Sequence, residues 1–224
     1  MNKKILNVPV YVWALFAITS LLFVAFPQID IFVSSLFYTK EGGFSANGTW
    51  YETVLYGSIQ TVVATAVMIP ILIWIYNLIT KKDLLHVNKK VIIYLLLVLA
   101  LAPGIIVNDI FKDHWGRARP AETTLFGGDK EFTPAFVMSD QGGYSFSCGH
   151  AAGAFFLLSL ALLAKKRRVF WMSLAASYGL AISYVRIAAG GHFFSDTVVS
   201  FFIVYITALI FYGLFFKEET DEIS

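Results

Sequence analysis

The sequence predicts an all-α, polytopic membrane protein: one transmembrane domain over residues 1–224, folded as a bundle of six transmembrane helices. Three observations carry this expectation. Of the 224 residues, 58% are hydrophobic, too many for a soluble domain with one ordinary core. The mean hydropathy is +0.70. Six uncharged or nearly uncharged runs approach the roughly 20 apolar residues that a bilayer-spanning helix needs.

The first run, 8–26, follows Lys3 and Lys4, and no small-residue cleavage site lies near Phe26 and Pro27. It therefore reads as an uncleaved span and not as a signal peptide. The second, 54–80, is long enough to tilt or to begin as an interfacial helix. The others are 91–109, 147–164, 169–186 and 197–216. No repeat, low-complexity stretch or linker divides the chain. Basic residues orient the bundle. Lys3 and Lys4, Lys81, Lys82, Lys89 and Lys90, Lys165 to Arg168, and Lys217 fall at the amino terminus, the second and fourth loops and the carboxyl tail. An even helix count puts these on one side, and the positive-inside rule makes that side the cytoplasm. Both termini are then cytoplasmic, and loops 27–52, 111–146 and 187–196 face outward.

Composition also excludes partners. A net charge of +2 without a basic stripe argues against nucleic acid. The single cysteine, Cys148, permits no disulfide within the chain, so the redox compartment cannot be read from cysteine usage. The sequence is silent on oligomeric state.

Polar and charged side chains at the ends of apolar helices are costly to place, and here they collect at one surface. The third helix runs outward and ends in Asn108, Asp109, Lys112, His114, Arg117 and Arg119; the fifth ends in Arg186. The fourth and sixth run inward and open with Ser147, Cys148, Gly149 and His150, and with His192, Ser195 and Asp196. Two helix amino termini are thus expected to offer N–H groups to an anion, and Lys112, Arg119 and Arg186 suit a tetrahedral oxyanion. His192 and Asp196, four residues apart, share one face of a helical turn, so the carboxylate can hold the imidazole as a nucleophile or base. His150 can protonate a leaving oxygen.

Other polar residues have plainer readings. Arg117 either touches substrate or anchors its loop. Asn108 and Asp109 either orient Lys112 or serve the third helix by capping and local hydrogen bonding. His86 and His114 read as structural, and Cys148 as a small neighbour of the anion. A transporter would place its charges near the bilayer midplane between repeats, and neither feature is present. A membrane metalloprotease would need a His-Glu-x-x-His cluster, which is absent.

The motifs form a recognisable set. Lys112-Asp-His-Trp-Gly-Arg-Ala-Arg119-Pro120, Ser147-Cys148-Gly149-His150, and Arg186 followed by His192 and Asp196 resemble, in order, the three motifs of the type 2 phosphatidic acid phosphatase family. The resemblance departs at Ser147, Cys148 and Val185, where the family usually has proline, serine and serine. Phe111 to Arg117, the Gly190-Gly-His-Phe-Phe-Ser-Asp196 segment and the cysteine are most similar to the lipid A 4'-phosphatase branch.

The resemblance implies a helical core shared with vanadium haloperoxidases and a phosphohistidine intermediate, with no metal and no cofactor. His192 would attack phosphorus, Asp196 would orient it and His150 would protonate the leaving group. Lys112, Arg119, Arg186, Cys148 and the Gly149 N–H would surround the phosphoryl oxygens. The expected activity is hydrolysis of a lipid phosphate monoester, lipid A 4'-phosphate first, at the periplasmic face of a bacterial inner membrane. Undecaprenyl diphosphate and phosphatidylglycerophosphate are the alternatives.

Overall fold

A computed structural model describes residues 3–221 of the chain, with side chains described to residue 216; the charge of Lys217 lies outside the described side chains. The helices are α1 (Val10–Ala25), α2 (Gln28–Ser35), α3 (Trp50–Thr80), α4 (Lys89–Leu99), α5 (Gly149–Phe155), α6 (Leu157–Leu162), α7 (Arg168–Ala188) and α8 (Phe194–Asp221). Two small antiparallel hairpins accompany them. Strands β1 (Lys4–Ile5) and β2 (Val8–Pro9) pair Ile5 with Val8, and β3 (Tyr38–Thr39) and β4 (Gly43–Phe44) pair Tyr38 with Phe44.

Local sequence explains the breaks. Pro27 separates α1 from α2, and the two helices meet at 84°. The Thr49 hydroxyl caps α3 by accepting the Glu52 N–H at 3.3 Å. With 31 residues, α3 is about 46 Å long at the usual rise. It therefore tilts within, or projects beyond, a hydrocarbon layer of ~30 Å. Asn88 caps α4, its side-chain oxygen accepting from Lys90 and Val91. From Ala100 to Lys112 the same helix continues as a wider π-helix. Pro103 lies inside that stretch and brings no N–H, which interrupts the regular ladder. Asn108 donates its side-chain N–H to the Pro103 carbonyl at 2.7 Å, a local hydrogen bond within its own helix, as the plainer of its two readings expects.

The protein is an all-helical membrane bundle, but the six expected spans are met only in part. Among the described residues, Trp50–Thr80, Lys89–Lys112 and Phe194–Phe216 are long and apolar enough to cross a membrane, with α1 and α2 as a fourth if the bent pair counts as one span. The predicted fourth run is broken at Phe156 into α5 and α6. The predicted fifth is α7, whose buried Ser183 and Arg186 dilute its apolarity.

At the centre, α5 packs against α3, α7, α8 and the π-helical end of α4. Its Ala151, Ala152, Gly153 and Ala154 are all buried. Small residues let backbones approach closely, the main source of helix association where lipid is as apolar as the core. The outward faces are apolar as well: Leu15, Ile18 and Leu21 of α1 and Leu72 and Ile79 of α3 are exposed, a surface for lipid chains.

Candidate active site

Four places in the fold converge at one end of the bundle. The end of the π-helix carries Lys112, and the loop behind it carries Arg117 and Arg119. The start of α5 carries Cys148, Gly149 and His150; the end of α7 carries Arg186. The turn into α8 carries His192, and the first turn of α8 carries Asp196. Arg186, His192, Lys112 and Arg119 all lie close enough to act electrostatically on His150. Cys148 lies beside His192.

His192 is buried, and its Nδ1 lies 2.7 Å from the Ser145 carbonyl. A carbonyl only accepts, so Nδ1 carries the proton and Nε2 keeps its lone pair. Asp196, expected to hold this ring directly, is 3.6 Å from Nδ1. Its oxygens accept instead from the Ser145 hydroxyl (2.5 Å), Arg117 Nη1 (2.5 Å) and the Phe193 N–H (2.8 Å). Ser145 therefore stands between the two, bonded to Asp196 through its hydroxyl and to His192 through its carbonyl. Burial pushes the His192 pKa down, but Cys148 and the Asp196 carboxylate push it up by more, so it stands above the ordinary imidazole value.

His150 is held differently. Among the described residues no hydrogen bond reaches its ring, which lies 4.1 Å from the Tyr56 ring at an interplanar angle of 30°.

Arg186 touches Glu52 at 3.3 Å and stands 4.8 Å from the centre of the Tyr56 ring. Its Nε, and the Nε of Arg119, are buried without a hydrogen-bond partner among the described residues. Leaving such a donor unpaired costs about 1–3 kcal/mol, which an incoming anion would recover. The loop after α7 is shaped around Arg186. Its carbonyl accepts from the N–H groups of Gly191 (3.0 Å) and His192 (3.2 Å). A side chain at 191 would collide with the guanidinium, and Gly190 has a φ of +70° with Phe44 packed against it.

Arg117 is committed to the protein. It is fully buried, with Nε on the Thr133 carbonyl (2.8 Å), Nη1 on Asp196 and Ser195, and Nη2 on Asp30 (2.8 Å). Burial works against its charge, but Asp196 and Asp30 more than restore it and hold its pKa above the usual value. Of the two readings open from sequence, the geometry gives the anchor.

The amino end of α8 also differs from expectation. Ser195 donates its N–H (2.8 Å) and hydroxyl (2.5 Å) to Asp30, and Phe193 donates to Asp196. The protein's own carboxylates fill this terminus, which is not open to a phosphate. At α5, Cys148 caps the helix, its sulfur accepting from Ala151 at 3.4 Å, and the N–H groups of Gly149 and His150 precede the first helical bond.

Asp30 and Ser145 were missed by sequence reasoning. Asp30 had a signal, a lone carboxylate in the apolar run Ile29 to Val33; Ser145 had none. The first long loop turns out to brace the site from behind: Ala46 donates to the Ala188 carbonyl, and Phe44 packs with Phe126 and Phe193. His114 bonds the Asp109 carbonyl and His86 bonds Asp83, both exposed. Among the described residues no three His, Cys, Asp or Glu side chains cluster as metal ligands.

Fold and site together define a membrane-embedded helical bundle whose polar end pairs two histidines with a lysine and two arginines suited to an oxyanion. Residues 92–219 match the model of the PAP2 superfamily, and the chain belongs to that superfamily. It is 34% identical over 209 residues to the lipid A 4'-phosphatase of Francisella tularensis subsp. novicida (strain U112), covering 88% of this chain and 90% of that protein. It is 29% identical over 206 residues to the lipid A 4'-phosphatase of Rhizobium leguminosarum, covering 84% and 85%. The lipid A 4'-phosphatase of Rhizobium etli is 30% identical over 204 residues, covering 84% and 77%. No solved structure matches.

Proposed function

We propose that this chain is a phosphoric monoester hydrolase that removes the 4'-phosphate of lipid A through a phosphohistidine on His192, at the periplasmic face of a bacterial inner membrane. The observation that carries the chemistry is the pair of buried, unpartnered guanidinium Nε groups of Arg119 and Arg186 at the histidine end of the bundle. The lipid assignment rests on the three relatives, all lipid A 4'-phosphatases by name.

In the first step the Nε2 lone pair of His192 attacks phosphorus, the bond to the sugar oxygen breaks, and His150 gives that oxygen a proton. Lys112, Arg119 and Arg186 take the charge that grows on the phosphoryl oxygens. Ser145 and Asp196 hold His192 in the reactive tautomer and favour the cationic ring of the intermediate. In the second step His150 takes a proton from water, the water oxygen bonds phosphorus, and the N–P bond returns its electrons to His192. The site's own cations serve the oxyanion, so chelation should leave activity unchanged.

The test is phosphate release by the purified protein from lipid A, undecaprenyl diphosphate and phosphatidylglycerophosphate, with the products identified by mass spectrometry. Preference for lipid A with loss of one phosphate is expected; preference for either of the others overturns the lipid assignment. Turnover that survives His192→Ala overturns the mechanism. For orientation, Asp129→Cys and Lys82→Cys proteins in intact cells should differ, the first labelled by an impermeant thiol reagent and the second spared. The native Cys148 is buried and should stay silent.

A further inference from the structure

His192 is fixed by a hydrogen bond, whereas His150, which must present a proton to the leaving oxygen, has no such bond among the described residues. An imidazole has two free torsions, and a general acid works only when its N–H points at the leaving atom. Something else must hold the ring, and what lies against it is Tyr56 of α3. Four residues earlier on the same helix face, Glu52 meets Arg186, and the Arg186 guanidinium in turn faces the Tyr56 ring. One turn of α3, far in sequence from every recognised motif, thus touches both the proton donor and an anion-binding arginine.

The charges make the Glu52 contact informative. Glu52 is mostly buried, with its side chain 17% exposed, and it faces a guanidinium whose Nε is unpaired. A phosphate bound there would bring a second anion to the same arginine, where like charges repel. Thr49 already caps the helix amino terminus, so capping does not explain why Glu52 points across to α7.

We propose that the first turns of α3 are a positioning element for the reaction: the Tyr56 ring sets the orientation of His150, and Glu52 is the resident counter-ion that substrate phosphate displaces from Arg186. The proposal rests on the assignment of His150 and Arg186 above. Neither Tyr56 nor Glu52 exchanges a proton or a bond with substrate. Tyr56 acts through its face, so the hydroxyl is dispensable, and Glu52 opposes anion binding to the free enzyme while keeping Arg186 extended.

The test uses the full chain in detergent or nanodiscs, with lipid A as a substrate with a poor, alkoxide leaving group and para-nitrophenyl phosphate as one whose leaving group needs no proton. Tyr56→Ala should lower kcat/KM on lipid A about 30-fold and on the aryl phosphate less than threefold, because kcat/KM reports the first phosphoryl transfer, where only the lipid A leaving group needs a proton from a well-aimed His150; the water step uses His150 for either substrate and enters kcat alone. Tyr56→Phe should recover most of the lipid A rate. Equal losses on both substrates, or a Phe variant as poor as the Ala variant, would overturn the Tyr56 role. For Glu52→Gln, inorganic phosphate should inhibit about tenfold more tightly than it inhibits the wild-type protein. Weaker or unchanged inhibition overturns the counter-ion role. A His192→Ala control separates the two levels: aryl phosphatase activity surviving in that variant refutes the proposed function itself, whereas its loss beside an equal Tyr56→Ala defect on both substrates refutes only the positioning element.

Discussion

Arg117 and Arg186 lie at the same end of the bundle and both are buried, yet one is closed and the other open. Every nitrogen of the Arg117 guanidinium has a partner, and its plane lies 4.3 Å from the Phe193 ring centre. Arg186 has one contact with Glu52, at 3.3 Å, and an Nε with none. A buried arginine whose donors are all answered is part of the framework. One whose donors are left over is the better candidate to receive an anion, because an unpaired buried donor costs about 1–3 kcal/mol that a bound anion would recover. The three motifs place the two arginines alike among polar residues at a helix end, and only their partners tell them apart.

The largest effect expected from this contrast is at Arg117. Arg117→Met leaves Asp30 and Asp196 buried without their cation and should cost about 3–5 kcal/mol of stability. Thermal unfolding in detergent reads this directly, and activity should vanish with the fold. Adding Asp30→Leu should recover part of the loss. An Arg117→Met protein that unfolds at the wild-type temperature would break the comparison.

Arg186→Ala should do the reverse. Its kcat/KM should fall about 100- to 1000-fold, as expected for removal of one donor to a developing oxyanion, while its unfolding temperature stays within a degree or two of wild type. A large stability loss there would make Arg186 a framework residue too.

Ligand stabilisation sharpens the difference further. Vanadate or phosphate at about ten times its Kd should stabilise the wild-type protein by about 1.4 kcal/mol, and this gain should disappear in Arg186→Ala.

The pH profile tests the His192 end of the Arg117 network. With its pKa held above the ordinary value, His192 is a nucleophile only when pH exceeds that raised value. The acid limb of kcat/KM should therefore lie above ~6.5. In stability the sign is opposite: the protonated ring favours the fold at pH below the ordinary value, and that contribution fades as pH rises through the folded one. An acid limb well below the ordinary imidazole value would remove Cys148 and Asp196 as supports of the cationic ring.

The smallest effect is expected at Cys148. Its sulfur caps α5 and needs only to accept an N–H, so Cys148→Ser should keep activity within about tenfold, one hydrogen bond being worth about 1 kcal/mol. Quenched turnover should yield an acid-labile phosphoenzyme in both proteins. An adduct lost in Cys148→Ala, with folding intact, would move the nucleophile to sulfur.

Much of the site was legible because its parts are local. Lys112 and Arg119, Cys148 to His150, and Arg186, His192 and Asp196 each fall within one short stretch whose spacing survives any packing of the helices. The supporting residues were not legible for the opposite reason. Asp30 meets Arg117 from 87 positions away and Ser195 from 165, and Glu52 meets Arg186 from 134. No local pattern encodes such pairings. The span count suffered similarly: hydropathy treats 147–164 as one run, whereas packing against four neighbours lets α5 be short, small-residued and broken at Phe156.

The sequence by itself determined that the chain is a helical membrane protein, which end of each helix is polar, and which three short motifs resemble those of its family, because apolar run length and short-range spacing are properties of the chain. Only the tertiary structure decided that the amino end of α8 is filled by Asp30 and Asp196, that Ser145 stands between Asp196 and His192, and that Arg117 is sealed while Arg186 is open. Those outcomes depend on which buried donors find acceptors across the bundle, and that is settled when distant segments are packed against one another and every polar group must be answered or left for a ligand.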